Sequence, residues 1–193
     1  MDNDKKKVII ITDGDEVARK TVEKVAENIK GCCISASAGN PTPISGEKIV
    51  KLIKKSSAEP VLVMLDDNGH SQKGNGEIAL EYLAQHPEIE VLGVLAVASN
   101  TNNVKGVHVK YSIASDRSIV NCPVDKNGNP EPPRHHILEG DTVSVLEKLN
   151  IPIIIGIGDI GKMNGKDHLK FDAPVTTEAI KYILQRSTSI NNE

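Results

Sequence analysis

Residues 8–16 read Val-Ile-Ile-Ile-Thr-Asp-Gly-Asp-Glu, and this stretch decides the fold. Four consecutive apolar β-formers are typical of a strand that is buried on both faces of a parallel sheet. Acidic residues follow directly, and open α/β sheets bind their ligands beyond the carboxyl ends of such strands. We therefore expect a buried first strand whose carboxyl end presents Asp13 and Asp15.

Two later stretches, residues 60–67 and 151–159, repeat this pattern of an apolar run that ends in aspartate. If the strands are all parallel, their carboxyl ends lie along one edge of one sheet. The pattern then predicts a row of carboxylates at that edge: Asp13, Asp15, Asp66, Asp67 and Asp159.

Periodic apolar residues divide the rest of the chain into alternating helices and strands. The predicted helices cover about residues 15–30, 45–55, 77–85, 141–149 and 176–187. Further strands are predicted at about residues 32–38, 60–65, 90–99 and 151–157. Long polar segments follow two of these strands, at 66–77 and 99–103. Such alternation indicates a mostly parallel sheet with helices on both faces.

Residues 104–138 interrupt this alternation. Residues 107–113 alternate apolar and polar side chains and precede a second short run at 118–122, which predicts an antiparallel hairpin. A proline-rich loop follows at 125–136, and the segment contains no second core. We therefore predict a single three-layer α/β domain over residues 1–193, with a Rossmann-like or Toprim-like sheet and an inserted β-hairpin.

The composition limits the classes of function. A net charge of −3 gives no basic excess for tracking nucleic-acid phosphates, and one Phe, three Tyr and no Trp supply few rings for stacking bases. Cys32, Cys33 and Cys122 lack any Cys-x-x-Cys spacing, which favours reduced thiols over a zinc site. No apolar run approaches the ~20 residues of a membrane span. We expect a soluble protein without a nucleic-acid partner.

Carboxylates gathered at a sheet edge suit a hard cation, because Mg²⁺ takes oxygen ligands and often bridges to phosphates. Asp13, Asp15 and Asp66 are the candidate ligands for Mg²⁺ or Ca²⁺, although no calcium-loop motif is present. An aspartate after a buried strand is also a common helix cap or turn former, so both interpretations stay open. The candidate ligand-binding residues at this edge are Asp13, Asp15, Asp66, Asp67, Ser99, Asp159, Gly156, Gly158 and Gly161.

Two known α/β arrangements share features with this edge. The Toprim domain of topoisomerases and primases has acids after two strands, which residues 13–15 and 66–68 match only loosely. The response-regulator receiver also has Ser or Thr after its fourth strand and Lys after its fifth, where Ser99 and Lys162 fit. Its usual sequence around the phosphoacceptor is absent. Both likenesses are analogies of fold, which cannot establish function.

The glycines at 156, 158 and 161 match the pattern G-x-G-x-x-G after a predicted strand. A dinucleotide site requires a helix directly after this motif, and residues 162–170 do not have a helical pattern. A tight, anion-friendly loop formed by Gly156, Gly158 and Gly161 is therefore the favoured prediction.

Several stretches together are similar to one family. They are Thr-Asp-Gly-Asp-Glu at 12–16, Ser-Ala-Gly-Asn-Pro-Thr-Pro at 37–43, Val-Leu-Val-Met-Leu-Asp-Asp at 61–67, His-Pro-Glu-Ile-Glu-Val-Leu-Gly at 86–93, Ala-Val-Ala-Ser-Asn-Thr at 96–101 and Pro-Ile-Ile-Ile-Gly-Ile-Gly-Asp-Ile-Gly-Lys-Met at 152–163. On these residues the chain resembles the soluble branch of the stage V sporulation protein AE family over nearly its whole length.

This resemblance implies a protein of endospore-forming bacteria that is made in the developing spore. It implies membership of the stage V sporulation protein A group, which is linked to the uptake of dipicolinic acid with Ca²⁺ and its release at germination. Other subunits would form the membrane channel, and this one would lie against the spore inner membrane. The family supplies no catalytic residues to transfer.

We therefore expect a non-enzymatic accessory subunit that binds other stage V sporulation protein A subunits and inner-membrane germination proteins, without a cofactor. The absence of a nucleophile–base pair in the sequence agrees with this expectation. The alternative is a Mg²⁺-dependent phosphoryl-transfer or phosphate-ester enzyme that uses Asp13, Asp15, Asp66 and Asp67.

Overall fold

The computed structural model describes residues 5–67, 73–99, 106–132, 135–140 and 142–190. Residues 68–72 of the predicted polar segment at 66–77, the polar run at 100–103 and the predicted helix start at Asp141 lie outside the described residues.

The sheet is built around the first strand of the chain. The strands are β1 (Lys6–Ile11), β2 (Cys32–Cys33), β3 (Val61–Met64), β4 (Ile89–Val97), β5 (Val107–His108), β6 (Tyr111–Ile113), β7 (Ile119–Val120), β8 (Ile137–Leu138) and β9 (Ile154–Ile157). In the described residues a seven-stranded sheet has the order β2-β3-β1-β4-β9-β6-β7, and β5 and β8 form a separate antiparallel pair.

Parallel pairing brings the carboxyl ends of the main strands to one edge. β1 pairs in parallel with both β3 and β4, with Val8 opposite Val61 on one side and Val91 on the other. β9 pairs in parallel with β4 and with β6, whereas β7 runs antiparallel to β6. The predicted mostly parallel sheet is confirmed, and the acids after β1, β3 and β9 share its carboxyl edge.

Helices cover both faces of the sheet, as predicted. They are α1 (Glu16–Asn28), α2 (Gly46–Lys55), α3 (Asn75–Gln85) and α4 (Pro174–Ile190). α1 and α4 pack on one face, and α2 and α3 pack on the other. None of the helices in the described ranges is long and apolar enough to cross a lipid bilayer.

Two aliphatic cores flank the sheet and share its strands. Val8 and Ile10 of β1 belong to the core under α2 and α3, whereas Ile9 and Ile11 belong to the core under α1 and α4. All four side chains are fully buried. The continuous apolar run arises because successive strand residues point to opposite faces and both faces are covered.

Two predicted elements differ from the structure. The strand predicted at 32–38 ends at Cys33, and Ser35–Ser37 form a 3₁₀ turn. The Ser37 hydroxyl donates to the Ile34 carbonyl at 2.7 Å and accepts the Met64 N–H at 3.0 Å, which replaces the next pair of strand hydrogen bonds. The helix predicted up to residue 149 is only a 3₁₀ turn at Ser144–Lys148.

The segment at 104–138 is more tightly joined to the sheet than an inserted hairpin implies. β6 and β7 form the predicted antiparallel hairpin, but β6 also extends the main sheet by pairing with β9. Val107 and His108, predicted in the first strand of that hairpin, pair instead with Leu138 and Ile137. Local alternation identified strand-forming residues but not their partners.

Candidate functional site at the carboxyl edge of the sheet

Asp13 lies at the centre of the predicted row of acids. It follows β1, and its carboxylate accepts the N–H of Gly14 at 2.7 Å and the N–H of Asp15 at 3.3 Å. Burial, together with the charges of Asp15, Asp66 and Asp159, raises the pKa of Asp13 to about 7. The carboxyl group therefore changes charge near neutral pH, far above the ordinary range of an aspartate.

Asp15 is the N-cap of α1. One carboxylate oxygen accepts the N–H groups of Val17 and Ala18, both at 2.8 Å, which satisfies two helix-terminal donors. The other oxygen lies 2.7 Å from the Lys162 ammonium. Burial disfavours the charge, but the Lys162 ammonium and the helix N–H donors outweigh it, so the pKa of Asp15 lies below its usual value.

Lys162 brings a cation into this row of carboxylates. It follows β9, and its ammonium donates to Asp15 at 2.7 Å and to Asp159 at 3.0 Å. Burial lowers the pKa of Lys162, but the hydrogen bonds to the two carboxylates have the larger effect and hold this pKa above its usual value. Lys162 thus links the ends of β1 and β9 and stays charged at neutral pH.

Asp66 is positioned by Thr42, which lies in the loop at residues 38–45, before α2. Its backbone N–H donates to the Thr42 hydroxyl at 2.8 Å, and its carbonyl accepts the Thr42 N–H at 2.9 Å. Asp66 is buried, and a methyl group on Gly14 would lie 3.1 Å from its Cβ atom. The end of β3 therefore lies close to Gly14 after β1, and the sequence did not identify Thr42 as the residue that binds the backbone of Asp66.

Asp67 and Ser99 make hydrogen bonds to other segments than the group around Asp13. The Asp67 carboxylate accepts the N–H groups of Gly76 at 2.6 Å and Glu77 at 2.9 Å, which makes it a buried cap for the start of α3. Ser99 lies beyond β4 and donates its backbone N–H to the Glu139 carbonyl at 3.0 Å. The structure thus brings together Asp13, Asp15, Asp66, Asp159 and Lys162.

The three glycines of the G-x-G-x-x-G match lie where the backbone packs closely against neighbours. An added methyl group would lie 2.3 Å from the Ser112 hydroxyl at Gly156, 2.6 Å from the Gly128 backbone at Gly158 and 2.3 Å from the Thr21 hydroxyl at Gly161. The motif leads into 3₁₀ turns rather than an α-helix. These contacts give each glycine a packing role, and the proposed anion-binding loop stays a prediction.

Asp167 is a buried carboxylate that sequence reasoning missed. It accepts the N–H groups of Gly161, Val175 and Thr176 at 2.8–2.9 Å and the Thr176 hydroxyl at 2.5 Å. It therefore fixes the turn after β9, which carries Lys162, to the start of α4. No local pattern indicates this role, because a capping residue usually lies two or three positions before the N–H groups it binds.

The arrangement can hold or release a proton at Asp13, next in the row to Asp15, which pairs with the Lys162 ammonium. In the parts of the chain that the structure describes, no three His, Cys, Asp or Glu side chains are arranged to hold a metal ion. Instead, the Lys162 ammonium bridges two of the carboxylates, Asp15 and Asp159. Asp13, Asp15 and Asp66 as Mg²⁺ or Ca²⁺ ligands remain a prediction.

Comparisons with known proteins give one match. The family described as stage V sporulation protein AE1 matches residues 7–187. No curated protein and no solved structure matches the chain. The match begins at the second residue of β1 and ends within the last turn of α4, so it includes nearly all of the fold described above. The chain therefore belongs to the stage V sporulation protein AE1 family and is a sporulation-related protein.

Proposed function

We propose that this protein is a non-enzymatic accessory subunit of the system that takes dipicolinic acid, with Ca²⁺, into the developing spore and releases it at germination. The family match over residues 7–187 is the observation that carries the proposal. The protein acts at the spore inner membrane by binding other stage V sporulation protein A subunits and inner-membrane germination proteins. The whole chain forms one α/β domain.

The contacts at the carboxyl edge support a binding protein rather than an enzyme. Asp15 and Asp67 use their carboxylates to cap helices, and Asp15 also pairs with Lys162. The pair between Asp15 and Lys162 fixes the ends of β1 and β9 relative to each other, and Asp67 fixes the end of β3 to the start of α3. A fixed arrangement of this kind suits a rigid surface for recognition.

Deletion of the coding region in its spore-forming host tests the role in transport. We expect spores that contain less dipicolinic acid or release it more slowly after a germinant is added, and we expect the wild-type sequence in trans to restore both. Dipicolinic acid content and release are measured by terbium fluorescence. Unchanged content and release kinetics would contradict the proposal.

Recovery of partners tests the mechanism separately. A tagged full-length chain is cross-linked in spores and purified from the inner-membrane fraction. We expect other stage V sporulation protein A subunits to be enriched relative to a tagged, unrelated spore protein of similar abundance. If the deletion slows release but no such subunit is enriched, the transport role stands and the binding mechanism is wrong.

The Mg²⁺-dependent enzyme remains the second candidate, and one observation favours it. Asp13 has a pKa of about 7, which suits acid–base chemistry at neutral pH, and it lies in a row of carboxylates. Calorimetric titration with Mg²⁺ and Ca²⁺ tests it, with Asp66→Asn as the variant. Heat in the wild type that is lost in the variant would support a metal site at this edge, which the enzyme needs, and no heat in either protein would remove the metal-dependent mechanism.

A further inference from the structure

A shallow cleft beside the edge described above has an unusual combination of side chains. It lies between the turn after β6, the loop after β9 and the start of α4, and its volume is about 440 Å³. Arg117, Lys166 and Phe171 line it. This volume is in the range of small-molecule sites, and the carboxyl end of a parallel sheet is where α/β proteins bind ligands.

Cations dominate the polar lining of the cleft. Arg117 and Lys166 are both exposed, and within the described ranges neither forms an ion pair with a carboxylate. Arg117 lies in a tight turn, with a left-handed φ of 73°. Its backbone N–H donates a hydrogen bond to the Ala114 carbonyl at 2.8 Å, which closes this turn. The turn therefore places a guanidinium group at the rim of the cleft, and no carboxylate of the described residues pairs with it.

One carboxylate also lines the cleft, but it is bound within its own turn. Asp116 accepts the backbone N–H of Ser118 at 2.9 Å and the Ser118 hydroxyl at 2.6 Å. These hydrogen bonds hold the pKa of Asp116 below its usual value. With Arg117 and Lys166 opposite a single carboxylate, the lining has a net positive charge, which favours an anionic ligand.

Phe171 adds an aromatic surface to this cationic cleft. It is the one phenylalanine of the chain, and 61% of it is exposed. The Lys170 ammonium lies 5.9 Å from the centre of its ring. Phe171, Arg117 and Pro174 also line a neighbouring cleft of about 310 Å³. An exposed ring among three lysine and arginine side chains offers both stacking and charge.

We propose that the cleft beside Phe171 binds a small ligand that carries a flat aromatic ring and an anionic group. The ring stacks on Phe171, and the anionic group pairs with Arg117 and Lys166, because guanidinium groups bind carboxylate and phosphate in a bidentate manner. Aromatic carboxylates and nucleoside monophosphates share this chemistry. The inference deepens the proposed function and rests on it for the source of the ligand, because dipicolinic acid also carries carboxylates on a flat ring. The binding test below and the deletion test above fail independently of one another.

Calorimetric titration of the full chain separates the ring from the charge. The probes are benzene-1,3-dicarboxylate and adenosine monophosphate; acetate and inorganic phosphate supply charge without a ring, and benzamide supplies a ring without charge. We expect at least one probe to bind about tenfold more tightly than every control, since charge-assisted hydrogen bonds and stacking act together. Which probe binds more tightly identifies the source of the ligand.

Variants of exposed residues locate the binding to this cleft. We expect Arg117→Gln to weaken binding of the tighter probe about tenfold, the size of a lost charge-assisted hydrogen bond, and Phe171→Ala to weaken it about fivefold through lost stacking. Arg186→Gln on α4 and Lys55→Gln on α2 remove exposed cations elsewhere and leave the affinity unchanged. Unchanged urea midpoints show that the variants are folded.

Two results would overturn the proposal. One is a wild-type protein that binds neither probe more tightly than the controls, which needs no variant to interpret. The other is binding that Arg117→Gln and Phe171→Ala leave intact, because the ligand would then lie elsewhere on the molecule.

Discussion

At the scale of single residues, Asp13 is the group whose chemistry departs furthest from its ordinary behaviour. Burial and the charges of three other aspartates act on its carboxyl, and two of these aspartates, Asp15 and Asp159, contact the Lys162 ammonium. Ionisation of Asp13 therefore adds a further negative charge to a group of carboxylates. This charge makes the stability of the fold depend on pH near neutrality.

We predict that Asp13→Asn stabilises the protein at pH 8 but not at pH 4. The folded pKa is about 7 and the ordinary value is 3.8, so between these values the unfolded chain has released a proton that the folded chain retains. Wild-type stability therefore falls as pH rises through this window, and the loss is complete above pH 7. We expect the variant to gain on the order of 2 kcal/mol in free energy of unfolding. This is less than the full shift from 3.8 to about 7 gives at ~1.4 kcal/mol for each pKa unit, because some solvent contact remains.

Urea unfolding at pH 4, 6 and 8 measures this effect. Asp172→Asn is the control, since Asp172 is exposed, and its left-handed φ of 61° also suits asparagine. An Asp13→Asn variant whose advantage over wild type is the same at all three pH values would show that Asp13 does not titrate in this window.

At the scale of elements, Asp167 joins two segments that no hydrogen bond of a sheet or helix connects. It is fully buried and binds donors from both the turn after β9 and the first turn of α4. Lys162 lies on that turn, so the position of the lysine in the carboxyl-edge site depends on this carboxylate.

We predict that Asp167→Ala destabilises the protein by about 3 kcal/mol or more, because it leaves several buried N–H and O–H donors unsatisfied. Asp125→Ala is the matched control: Asp125 also accepts several hydrogen bonds, from Asn127 and Asn129, but in a turn that is partly open to solvent. We expect a loss of about 1 kcal/mol there, since water replaces the lost acceptor. Equal losses for the two variants in urea unfolding would contradict this assignment.

The glycine pair Gly161 and Gly165 permits a second matched test in the same turn. Both have left-handed φ values, of 74° and 83°, but an added methyl group would lie 2.3 Å from the Thr21 hydroxyl at Gly161 and would meet nothing within 4 Å at Gly165. We predict that Gly165→Ala costs about 1 kcal/mol through backbone strain alone and that Gly161→Ala costs about 1–3 kcal/mol more through overpacking. Thermal unfolding compares them, and similar midpoints would exclude the steric contribution.

Element boundaries were predictable where the capping residue is adjacent in sequence. Asp15 and Ser45 precede α1 and α2 directly, and both cap as local rules indicate. α4 begins at Pro174, earlier than the predicted start at residue 176, although proline favours the first helical turn. Its cap is Asp167, and a contact over eight or nine residues leaves no local pattern.

At the scale of the whole molecule, the two cores are joined through shared strands. Neighbouring residues of β1 alternate between the core under α2 and α3 and the core under α1 and α4. A change in either core therefore acts on the same central strand, and we expect the sheet and both helix layers to unfold together.

We predict that Ile10→Val and Ile11→Val, which remove one methylene from opposite cores, each lower the stability by about 1 kcal/mol. Because both side chains are fully buried in the same strand, each variant shifts a single transition. Circular dichroism and Tyr fluorescence during urea unfolding give coincident curves. Separate transitions, with one variant acting on each, would show that the two faces unfold independently.

The fold class followed from the sequence, but the order of its strands did not. Apolar runs that end in aspartate identify parallel strands and the edge where their carboxylates gather. Pairing of β9 with β4 and β6 depends on contacts between segments far apart in the chain, and local periodicity contains no information about them. The sequence predicted the carboxylates of the site, and the likeness to a response-regulator receiver indicated Lys162. The roles of Thr42 and Asp167 are visible only in the three-dimensional packing.

The ion pair between Asp15 and Lys162 has a consequence for the time course of folding. Its two residues are 147 positions apart, and they meet only when β9 has docked beside β4. The strands β1 to β4 come earlier in the chain and can assemble on the ribosome before residue 162 is synthesised. Long-range parallel pairing is slow to form, so closure of this pair is a late event. A spectroscopic probe at Lys162 would therefore report the completion of the native chain rather than its collapse.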